Sequence, residues 1–379
     1  MDFKTLFDQY HWQDVKESIY SKTSLDVEGA LYKNGKRNLE DFKSLLSPSA
    51  LPYLENIAIL SQELTQKRFG KTIQMYIPLY LSNECQNICT YCGFSLDNKI
   101  KRITLNDKQI LEEVKILKSY GYDHILLLTG EHQNLGLAYF KKVFDLIQPY
   151  FSSISIEVQP LEEEEYKELI AIGLNAVMVY QETYHQENYK KHHPKGKKSN
   201  FYHRLETPDR LGKAGINKIG IGTLIGLEDW RIDSFFTALH LSYLEKTYWK
   251  TRYSISFPRL RPTEKHPVPA TPNMFNSTVA MSDRELVQLI CAFRIFDEEV
   301  ELSISTRENE KFRDHIIQMG ITSMSAGSKT NPGGYALTQE SLEQFEIIDE
   351  RSAKEIEVII KSKGYEAVWK DWDKWMVKV

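Results

Sequence analysis

The sequence predicts an α/β fold: a (β/α)8 TIM-type barrel with a helical N-terminal extension and a C-terminal tail. From residue 71 onward, eight strand-like segments alternate with helix-like segments, and polar residues follow the ends of several strands. The alternation predicts a parallel sheet, and the count of eight favours a closed barrel over the alternative, a doubly wound open sheet. The expected division is an extension at 1–70, a barrel at 71–338 and a helical tail packed on the barrel at 339–379.

The N-terminal extension is polar and has helical patterns at Trp12–Tyr20 and Leu51–Phe69. Two prolines, Pro48 and Pro52, interrupt it, because proline cannot donate the helical hydrogen bond. No motif in this stretch indicates chemistry. We therefore expect it to pack on the domain that follows.

The barrel elements are predicted from apolar periodicity and from start and stop signals. A helix at about 106–120 has Asn106 as its N-cap and Gly121 as its stop signal, and another begins with a capping box from Ser282 to Glu285. The strands are expected at 72–81, His124–Thr129, Ser153–Val158, Ala176–Tyr180, Lys218–Leu224, Thr251–Phe257, Glu301–Ser305 and Thr322–Ser325, with further helices at Leu161–Ile172, Trp230–Tyr243, Arg284–Phe296 and Ala353–Lys363, and an aromatic, charged run at Val368–Trp375.

Composition excludes several classes of protein. The formal net charge of −4 over 379 residues argues against a nucleic-acid-binding surface. No N-terminal stretch has the form of a signal peptide, and no apolar run is long enough to cross a bilayer. Four cysteines, three of them clustered, suit a reducing compartment rather than a disulfide framework. We expect a soluble, cytoplasmic protein that binds neither membrane nor nucleic acid.

The cysteine cluster is the most informative motif. Cys85, Cys89 and Cys92 form a C-x3-C-x2-C pattern directly after the first predicted strand. Thiolates are the ligands that iron–sulfur clusters and zinc prefer, but a structural zinc site uses four protein ligands. Cys291 lies far downstream in an apolar helical pattern, which is typical of a buried hydrophobe. The alternative is a zinc site completed by a histidine, with His124 or His132 as the candidates.

The cysteine loop resembles that of the radical S-adenosylmethionine superfamily. In that superfamily three thiolates hold a 4Fe–4S cluster, and the methionine part of S-adenosylmethionine chelates the remaining iron. Tyr91, just before the last cysteine, is implied to contact the adenine. Thr129-Gly130-Glu131 resembles the Gly-Gly-Glu motif that holds the cofactor's amino group, with Thr129 in place of the first glycine. A strand-ending turn is the alternative explanation of this tripeptide.

Three further residues are implied to lie near the cofactor. By resemblance to the biotin synthase branch, Glu182 binds the ribose and Arg204 the carboxylate of the cofactor, and a surface ion pair is the alternative for each. The segment around Ile225 matches the superfamily segment whose backbone packs against adenine.

Glu157 and the run from Lys190 to Lys198 indicate a function less specifically than the motifs above. Glu157 lies in an otherwise apolar strand, so it must face a cavity, find a partner or point to solvent. We place it near the cofactor or the substrate. The basic run favours a solvated loop, and a lid over an anionic substrate group is the alternative.

Later motifs narrow the resemblance to the 2-iminoacetate synthases, the radical tyrosine lyases of bacterial thiamine thiazole biosynthesis. The resemblance covers essentially the whole chain from residue 71. It rests on Ser256–Pro262, Ser305–Glu308, Ser325–Ser328 and Pro332–Tyr335, together with YLSNECQNICTYCGF, LLTGEH and VWKDWD.

This resemblance implies a reaction and its partners. A 5′-deoxyadenosyl radical takes a hydrogen atom from the amino nitrogen of L-tyrosine, and cleavage between Cα and Cβ gives p-cresol and 2-iminoacetate, with 5′-deoxyadenosine and methionine as co-products. Thiazole synthase is the implied acceptor of the imine, and flavodoxin or ferredoxin the electron donor. Arg307 is the first candidate to bind the tyrosine carboxylate, by resemblance to tryptophan lyase, with Arg259 and Arg261 as weaker candidates.

Other functions remain open on the sequence alone. A hydrogenase-maturation tyrosine lyase carries a second cluster on C-terminal cysteines, and no cysteine follows Cys291 here. A tryptophan lyase is another relative. The non-catalytic alternative is a zinc-stabilised barrel that acts as a scaffold. Metal analysis distinguishes the two, because the enzyme contains iron with sulfide and the scaffold contains zinc. A nucleic-acid modifier of the same superfamily predicts an added basic domain, and none is visible.

Overall fold

The computed structural model of the chain describes residues 2–260, 281–336 and 343–370. Eight parallel strands form a closed barrel, in which each strand pairs with the next and the last pairs with the first. The predicted fold class is confirmed. The strands are β1 (Thr72–Ser82), β2 (His124–Thr129), β3 (Ser153–Glu157), β4 (Leu174–Met178), β5 (Lys218–Ile221), β6 (Arg252–Ser256), β7 (Glu301–Ile304) and β8 (Ser323–Ser325).

The long first strand closes the barrel by pairing differently along its length. Its segment Ile77–Ser82 pairs with β2, whereas Gln74–Tyr76 pairs with β8. A ninth strand, β9 (Glu366–Val368), pairs in parallel with Thr72–Gln74. The sequence did not predict β9. β2 pairs with β1 only from Ile77 onward, so it leaves the backbone groups at the start of β1 without partners. β9 provides those partners.

Helices surround the barrel and also precede it. The barrel helices lie between successive strands, as the βαβ connection requires. Within the described residues the helices are α1 (Phe3–Phe7), α2 (Trp12–Tyr20), α3 (Ser24–Leu31), α4 (Leu39–Leu46), α5 (Leu54–Phe69), α6 (Asp107–Ser119), α7 (Leu137–Ile147), α8 (Glu163–Ala171), α9 (Gln186–His192), α10 (Phe201–Leu205), α11 (Thr207–Ala214), α12 (Trp230–Thr247), α13 (Asp283–Phe296), α14 (Glu310–Ile316) and α15 (Ala353–Ser362).

The N-terminal helices pack on the outside of the barrel, against α12 and α13. The ring of Phe42 on α4 lies 4.8 Å from the rings of both Phe293 and Phe296 on α13. Gln288 on α13 donates hydrogen bonds to the carbonyls of Leu45 and Ser47. Because α12 and α13 are covered on both sides, most of their residues are buried. The division at residues 70 and 339 stays a prediction.

Two sequence expectations concern burial. Cys291 on α13 is fully buried, and burial raises the pKa of its thiol to about 12. The thiol therefore behaves as a small core hydrophobe, as expected. No helix in the described part of the chain combines the length and the apolar character needed to cross a bilayer.

Candidate active site

A single cavity at the carboxyl ends of the barrel strands contains most of the residues that the sequence analysis singled out. Active sites of barrels of this kind are built at this end. The predicted residues that line it are Cys85, Cys89, Tyr91, Cys92, Gly130, Glu131, Glu157, Glu182, Arg204 and Arg307.

The cysteine loop follows β1 and is held in shape by polar contacts. Arg102 donates hydrogen bonds to the carbonyls of Asn83, Phe94 and Ser95, at 2.7 to 2.8 Å. The backbone amide of Cys89 donates to Ser95 Oγ at 3.0 Å. The guanidinium fork thus joins both ends of the loop, which fixes where the thiols point.

Gly130 lies where β2 ends and the cysteine loop passes over it. A Cβ atom on Gly130 would stand 2.2 Å from the carbonyl oxygen of Glu84 and 3.0 Å from Cys85 Cβ. Only glycine permits this approach. The glycine therefore lets the cysteine loop pass close to the end of β2. The contact of its motif with the cofactor stays a prediction.

Buried ion pairs form one wall of the cavity beside the cysteines. Arg204 Nη1 lies 2.8 Å from Glu131 Oε1, and its Nε donates to the carbonyl of Tyr180 at 2.6 Å. Glu182 Oε1 lies 2.6 Å from Lys198 Nζ and 3.9 Å from Arg204 Nη2. All four side chains are 13% exposed or less, so these contacts are not surface ion pairs, which were the alternative explanation of Glu182 and Arg204.

The charge of Glu182 results from these neighbours. Burial raises the pKa of its carboxyl, but Lys198 and then Arg204 outweigh burial and bring the pKa below its usual value. Glu182 also has a φ of 70°, and is the only non-glycine residue of the described chain with a positive φ. Such strained residues cluster at functional sites.

Tyr91 is positioned by a histidine from the basic run. The neutral ring of His193 must carry its proton on Nδ1, because Nδ1 lies 2.8 Å from the carbonyl of Tyr189. The Tyr91 hydroxyl therefore donates to His193 Nε2, at 2.7 Å. Burial, followed by the charge of Lys198, lowers the pKa of His193 well below its usual value, so the ring stays neutral.

Leu224, rather than Ile225, faces the cavity after β5. The amide of Ile225 donates to the carbonyl of Pro258, and its carbonyl accepts from the amide of Leu260. Both backbone groups of Ile225 are therefore used in joining two loops. The adenine contact assigned to Ile225 stays a prediction, and Leu224 is the neighbour that lines the wall.

Two of the three candidate arginines are described by the structure, and these two differ in their partners. The Arg307 guanidinium lies 3.3 Å from the ring centroid of Phe345 and has no hydrogen-bond partner in the described chain. Arg259 binds Glu308 through two nitrogen atoms and lies 2.7 Å from Asp283 Oδ1, so it is a structural ion-pair residue. Arg261 lies outside the described residues. Of the two arginines that the structure describes, Arg307 is therefore the one that is open to a ligand.

Glu157 ends β3 and lines the cavity. Burial, followed by repulsion from Glu182, raises the pKa of its carboxyl to about 7, although Arg307, Lys198 and Arg204 act in the opposite direction. Its carboxylate has no hydrogen-bond partner in the parts of the chain that the structure describes. This placement agrees with the expectation that Glu157 lies near the cofactor or the substrate.

Hydroxyl groups line the deeper part of the cavity. Tyr180 OH lies 3.0 Å from Ser256 Oγ, and Tyr76 OH lies 3.2 Å from Ser303 Oγ. Burial raises the pKa of both tyrosines, so their hydroxyls stay protonated and can donate.

Several residues that line the cavity were not predicted as site residues, among them Lys198, Asn87, Gln344 and Phe345. Lys198 belongs to the basic run, whose other lysines are exposed as expected. Gln344 accepts from the Tyr80 hydroxyl at 2.7 Å, and its Nε2 lies 3.9 Å from Cys92 Sγ. No local sequence signal indicates Gln344 or Phe345, because a segment far along the chain brings them to the cysteine loop.

The donor set fits a cluster and S-adenosylmethionine better than a zinc ion. His124 starts β2 at the opposite end of the barrel from the cysteines and lies 2.9 Å from Ser155 Oγ. His132 Nδ1 accepts from the amide of Asn134 and does not line the cavity. Among the described residues, no three cysteine, histidine or acidic side chains converge on a single metal ion.

Unpaired polar atoms also indicate a polar ligand. Two buried hydroxyls at the cavity, Thr129 Oγ1 and Ser328 Oγ, have no hydrogen-bond partner within the described chain. Buried hydroxyls are normally satisfied, so a bound molecule is expected to complete them.

Comparisons with known proteins agree with this site. The Radical SAM superfamily matches residues 79–239, and the Biotin and Thiamin Synthesis associated domain matches residues 256–366. The chain is 50% identical over 370 residues to the 2-iminoacetate synthase of Salmonella typhimurium, which covers 97% of this chain and 96% of the relative. It is 50% identical over 376 residues to the 2-iminoacetate synthase of Escherichia coli, which covers 99% and 97%.

Solved structures show the same fold. HydG, a maturase of the FeFe-hydrogenase, superposes with a TM-score of 0.88 at 29% identity, covering 97% of this chain and 81% of HydG. HydG from Carboxydothermus hydrogenoformans gives a TM-score of 0.83 at 28% identity, covering 97% of this chain and 83% of the relative. Methylornithine synthase shares the fold, with a TM-score of 0.73 at 17% identity. With half of its residues identical to those of two 2-iminoacetate synthases over almost its whole length, the chain belongs to the 2-iminoacetate synthase family, within the radical SAM superfamily.

Proposed function

We propose that the protein is a radical S-adenosylmethionine lyase that cleaves the Cα–Cβ bond of L-tyrosine to 2-iminoacetate and p-cresol, for thiazole formation in thiamine biosynthesis. The observation that carries this proposal is the convergence of three groups in one cavity. They are the three-cysteine loop, a wall of buried ion pairs and an arginine whose guanidinium has no hydrogen-bond partner among the described residues. Family membership points to the same reaction.

The cysteine loop is the proposed site of a 4Fe–4S cluster, with Cys85, Cys89 and Cys92 as its ligands. When bound, the cluster and S-adenosylmethionine supply the electron and the radical that remove a hydrogen atom from the substrate. The chain itself binds and orients the reactants and excludes water.

The wall of ion pairs is the proposed binding site for S-adenosylmethionine. Glu182 presents a carboxylate to ribose hydroxyls, and Glu131 and Thr129 present oxygen atoms to the ammonium of the cofactor. Arg204 offers positive charge to its carboxylate. Tyr91 and Leu224 flank the place expected for the adenine. Because the side chains are already paired with one another, they are held in place before the cofactor binds.

The remaining part of the cavity is the proposed tyrosine site. Burial makes the charge of Arg307 costly and lowers the pKa of its guanidinium. A bound substrate carboxylate would offset that cost. The hydroxyls of Tyr76 and Tyr180 lie deeper and offer partners for a phenol. A site that hydrogen-bonds a substrate hydroxyl discriminates strongly against analogues that lack it.

An anaerobic turnover assay tests the proposal. The protein is reconstituted with iron and sulfide, given reductant, S-adenosylmethionine and tyrosine, and analysed for p-cresol and glyoxylate, the hydrolysis product of the imine. We expect both products from the wild type and from Cys291→Ala, which removes a thiol outside the cavity, and neither from Cys92→Ala. Deoxyadenosine without p-cresol would reject tyrosine as the substrate, and a parallel reaction with tryptophan tests the related lyase.

Thiazole synthase is the proposed acceptor of the imine, and flavodoxin or ferredoxin the proposed electron donor. An imine hydrolyses in water, so direct transfer to the next enzyme protects it. Co-purification with the thiazole synthase of the same organism, and a lower yield of free glyoxylate in its presence, would support transfer. An unchanged glyoxylate yield would argue against it.

A further inference from the structure

Within the described part of the chain, six charged side chains line the cavity, and two of them stand apart. Glu131, Glu182, Lys198 and Arg204 are joined to one another by ion pairs of 2.6 to 3.9 Å. Glu157 and Arg307 have no ion-pair or hydrogen-bond partner for their charged groups within the described residues. The cavity therefore keeps one acidic and one basic group available, which is the complement of an amino-acid zwitterion.

The two groups approach the same space from different strands. Glu157 ends β3, and Arg307 follows β7. Both side chains line the same cavity, and the charge of Arg307 opposes the rise in the pKa of Glu157. A substrate carboxylate bound to Arg307 would bring the ammonium, on the adjacent carbon, into the cavity that Glu157 also lines.

We propose that Glu157 is a catalytic proton acceptor: its carboxylate takes a proton from the ammonium group of the bound amino acid. In this step an N–H bond breaks, an O–H bond forms on Glu157, and the electron pair of the broken bond stays on the nitrogen. No electron enters or leaves the chain. The inference rests on the proposed function, in which a hydrogen atom is then removed from the neutral amine.

The surroundings favour this transfer. In a site closed to water, a neutral amine beside a neutral carboxylic acid avoids the burial of two charges. The raised pKa of Glu157, about 7, leaves a substantial fraction of its carboxyl ionised and able to accept a proton near neutral pH, and lets it hold an accepted proton more strongly than an ordinary glutamate. The titratable and charged groups that face Glu157 from the neighbouring elements are Tyr76, Tyr80, Tyr180, Glu182, Lys198, Arg204 and Arg307.

The test compares the pH dependence of p-cresol formation in reconstituted wild type and Glu157→Gln. At pH 7 we expect kcat of the variant to fall by about 100-fold or more, the usual contribution of general base catalysis. Because amino groups lose their proton in water at a pH of roughly 8 or above, the variant should then regain about tenfold in kcat per pH unit up to that range. The wild type should show no such rise.

Controls separate this role from others. Glu164→Gln, a matched change on the exposed surface of α8, should behave as wild type. If Glu157 merely anchors the ammonium, activity of Glu157→Gln would fall as the pH rises and the effect would appear in KM, and this would overturn the proposal. A pH profile parallel to that of wild type would also overturn it.

Two further measurements keep the outcome unambiguous. Iron content and the electron paramagnetic resonance signal of the reduced cluster should equal those of wild type in Glu157→Gln. Should that variant fail to fold, Glu157→Asp retains an acceptor and should keep the wild-type profile with a lower kcat, and a rising profile would overturn the proposal. If the wild type itself forms no p-cresol, the proposed function fails, whereas an active wild type with an unaltered variant profile rejects only the role of Glu157.

Discussion

Lys198 Nζ lies 2.6 Å from Glu182 Oε1 inside the cavity, and this contact joins the basic run to the end of β4. The run also pairs with the cysteine loop, since Lys195 accepts a hydrogen bond from the amide of Ile88 and Asn87 accepts one from the amide of Lys198. One short segment therefore completes two walls of the site.

Replacing Lys198 by methionine should destabilise the protein. The change leaves the buried carboxylate of Glu182 without its closest cation, and breaking a buried pair on one side typically costs about 3–5 kcal/mol. Chemical denaturation of the reconstituted protein measures the free energy of unfolding. Lys197→Met, at an exposed neighbouring position, is the matched control and should change it by less than about 0.5 kcal/mol.

The same pair predicts a dependence on pH. The pKa of Glu182 is lowered by folding from 4.5, so its contribution to stability is present above about pH 4.5 and is lost as the pH falls through the lower, folded value. The stability difference between wild type and Lys198→Met should therefore shrink as the pH falls below 4.5. A difference that stays constant down to the lowest pH at which both proteins fold would contradict the assigned charge state.

Gly130→Ala should impair cluster assembly. The added Cβ would stand 2.2 Å from the carbonyl of Glu84, so the cysteine loop must move. We expect less iron and sulfide per chain after reconstitution. Gly136→Ala is the control, because its Cβ would meet only the carbonyl of Gln133, at 3.8 Å. Equal iron loading in the two variants would show that the close approach at Gly130 does not position the loop.

Arg307→Leu and Arg259→Leu should have opposite consequences. Loss of Arg307 removes the proposed carboxylate partner and should weaken tyrosine binding by about 30-fold or more. Thermal stability should be unchanged or higher, because the half-buried cation that is removed has no hydrogen-bond partner in the described part of the chain. Loss of Arg259 leaves Glu308 buried beside an apolar side chain and should lower the melting temperature. Tyrosine titration and thermal unfolding measure the two effects, and a stability loss in Arg307→Leu equal to that in Arg259→Leu would contradict the distinction.

Gln344→Met should lower the reduction potential of the bound cluster. Gln344 Nε2 is a hydrogen-bond donor 3.9 Å from Cys92 Sγ, and donors to cluster sulfur atoms stabilise the reduced, more negative form. A bond worth about 1 kcal/mol corresponds to about 40 mV for one electron. Potentiometric titration followed by electron paramagnetic resonance gives the shift. Gln318→Met, whose side chain bonds Lys363 far from the cavity, should leave the potential unchanged.

The sequence by itself determined the order and type of the barrel elements. Eight apolar segments and the helices between them carry their own periodicity, so the strands from β1 to β8 were placed within a few residues. The cysteine spacing is equally local, because three thiols within eight residues must share one loop. For the same reason the tripeptide at Gly130 and the isolated charge of Glu157 were visible without any structure.

Only the tertiary structure decided which charged residues are paired and which are open. Arg259 and Arg307 look alike in the sequence, yet one is bound by carboxylates and the other faces the cavity beside Phe345. Lys198 is indistinguishable from its solvated neighbours until the chain folds the run onto the cysteine loop. Whether a charge is paired depends on residues that are distant in sequence and that packing brings together. The loss of hydration that this packing costs each charge cannot be predicted from a local sequence pattern.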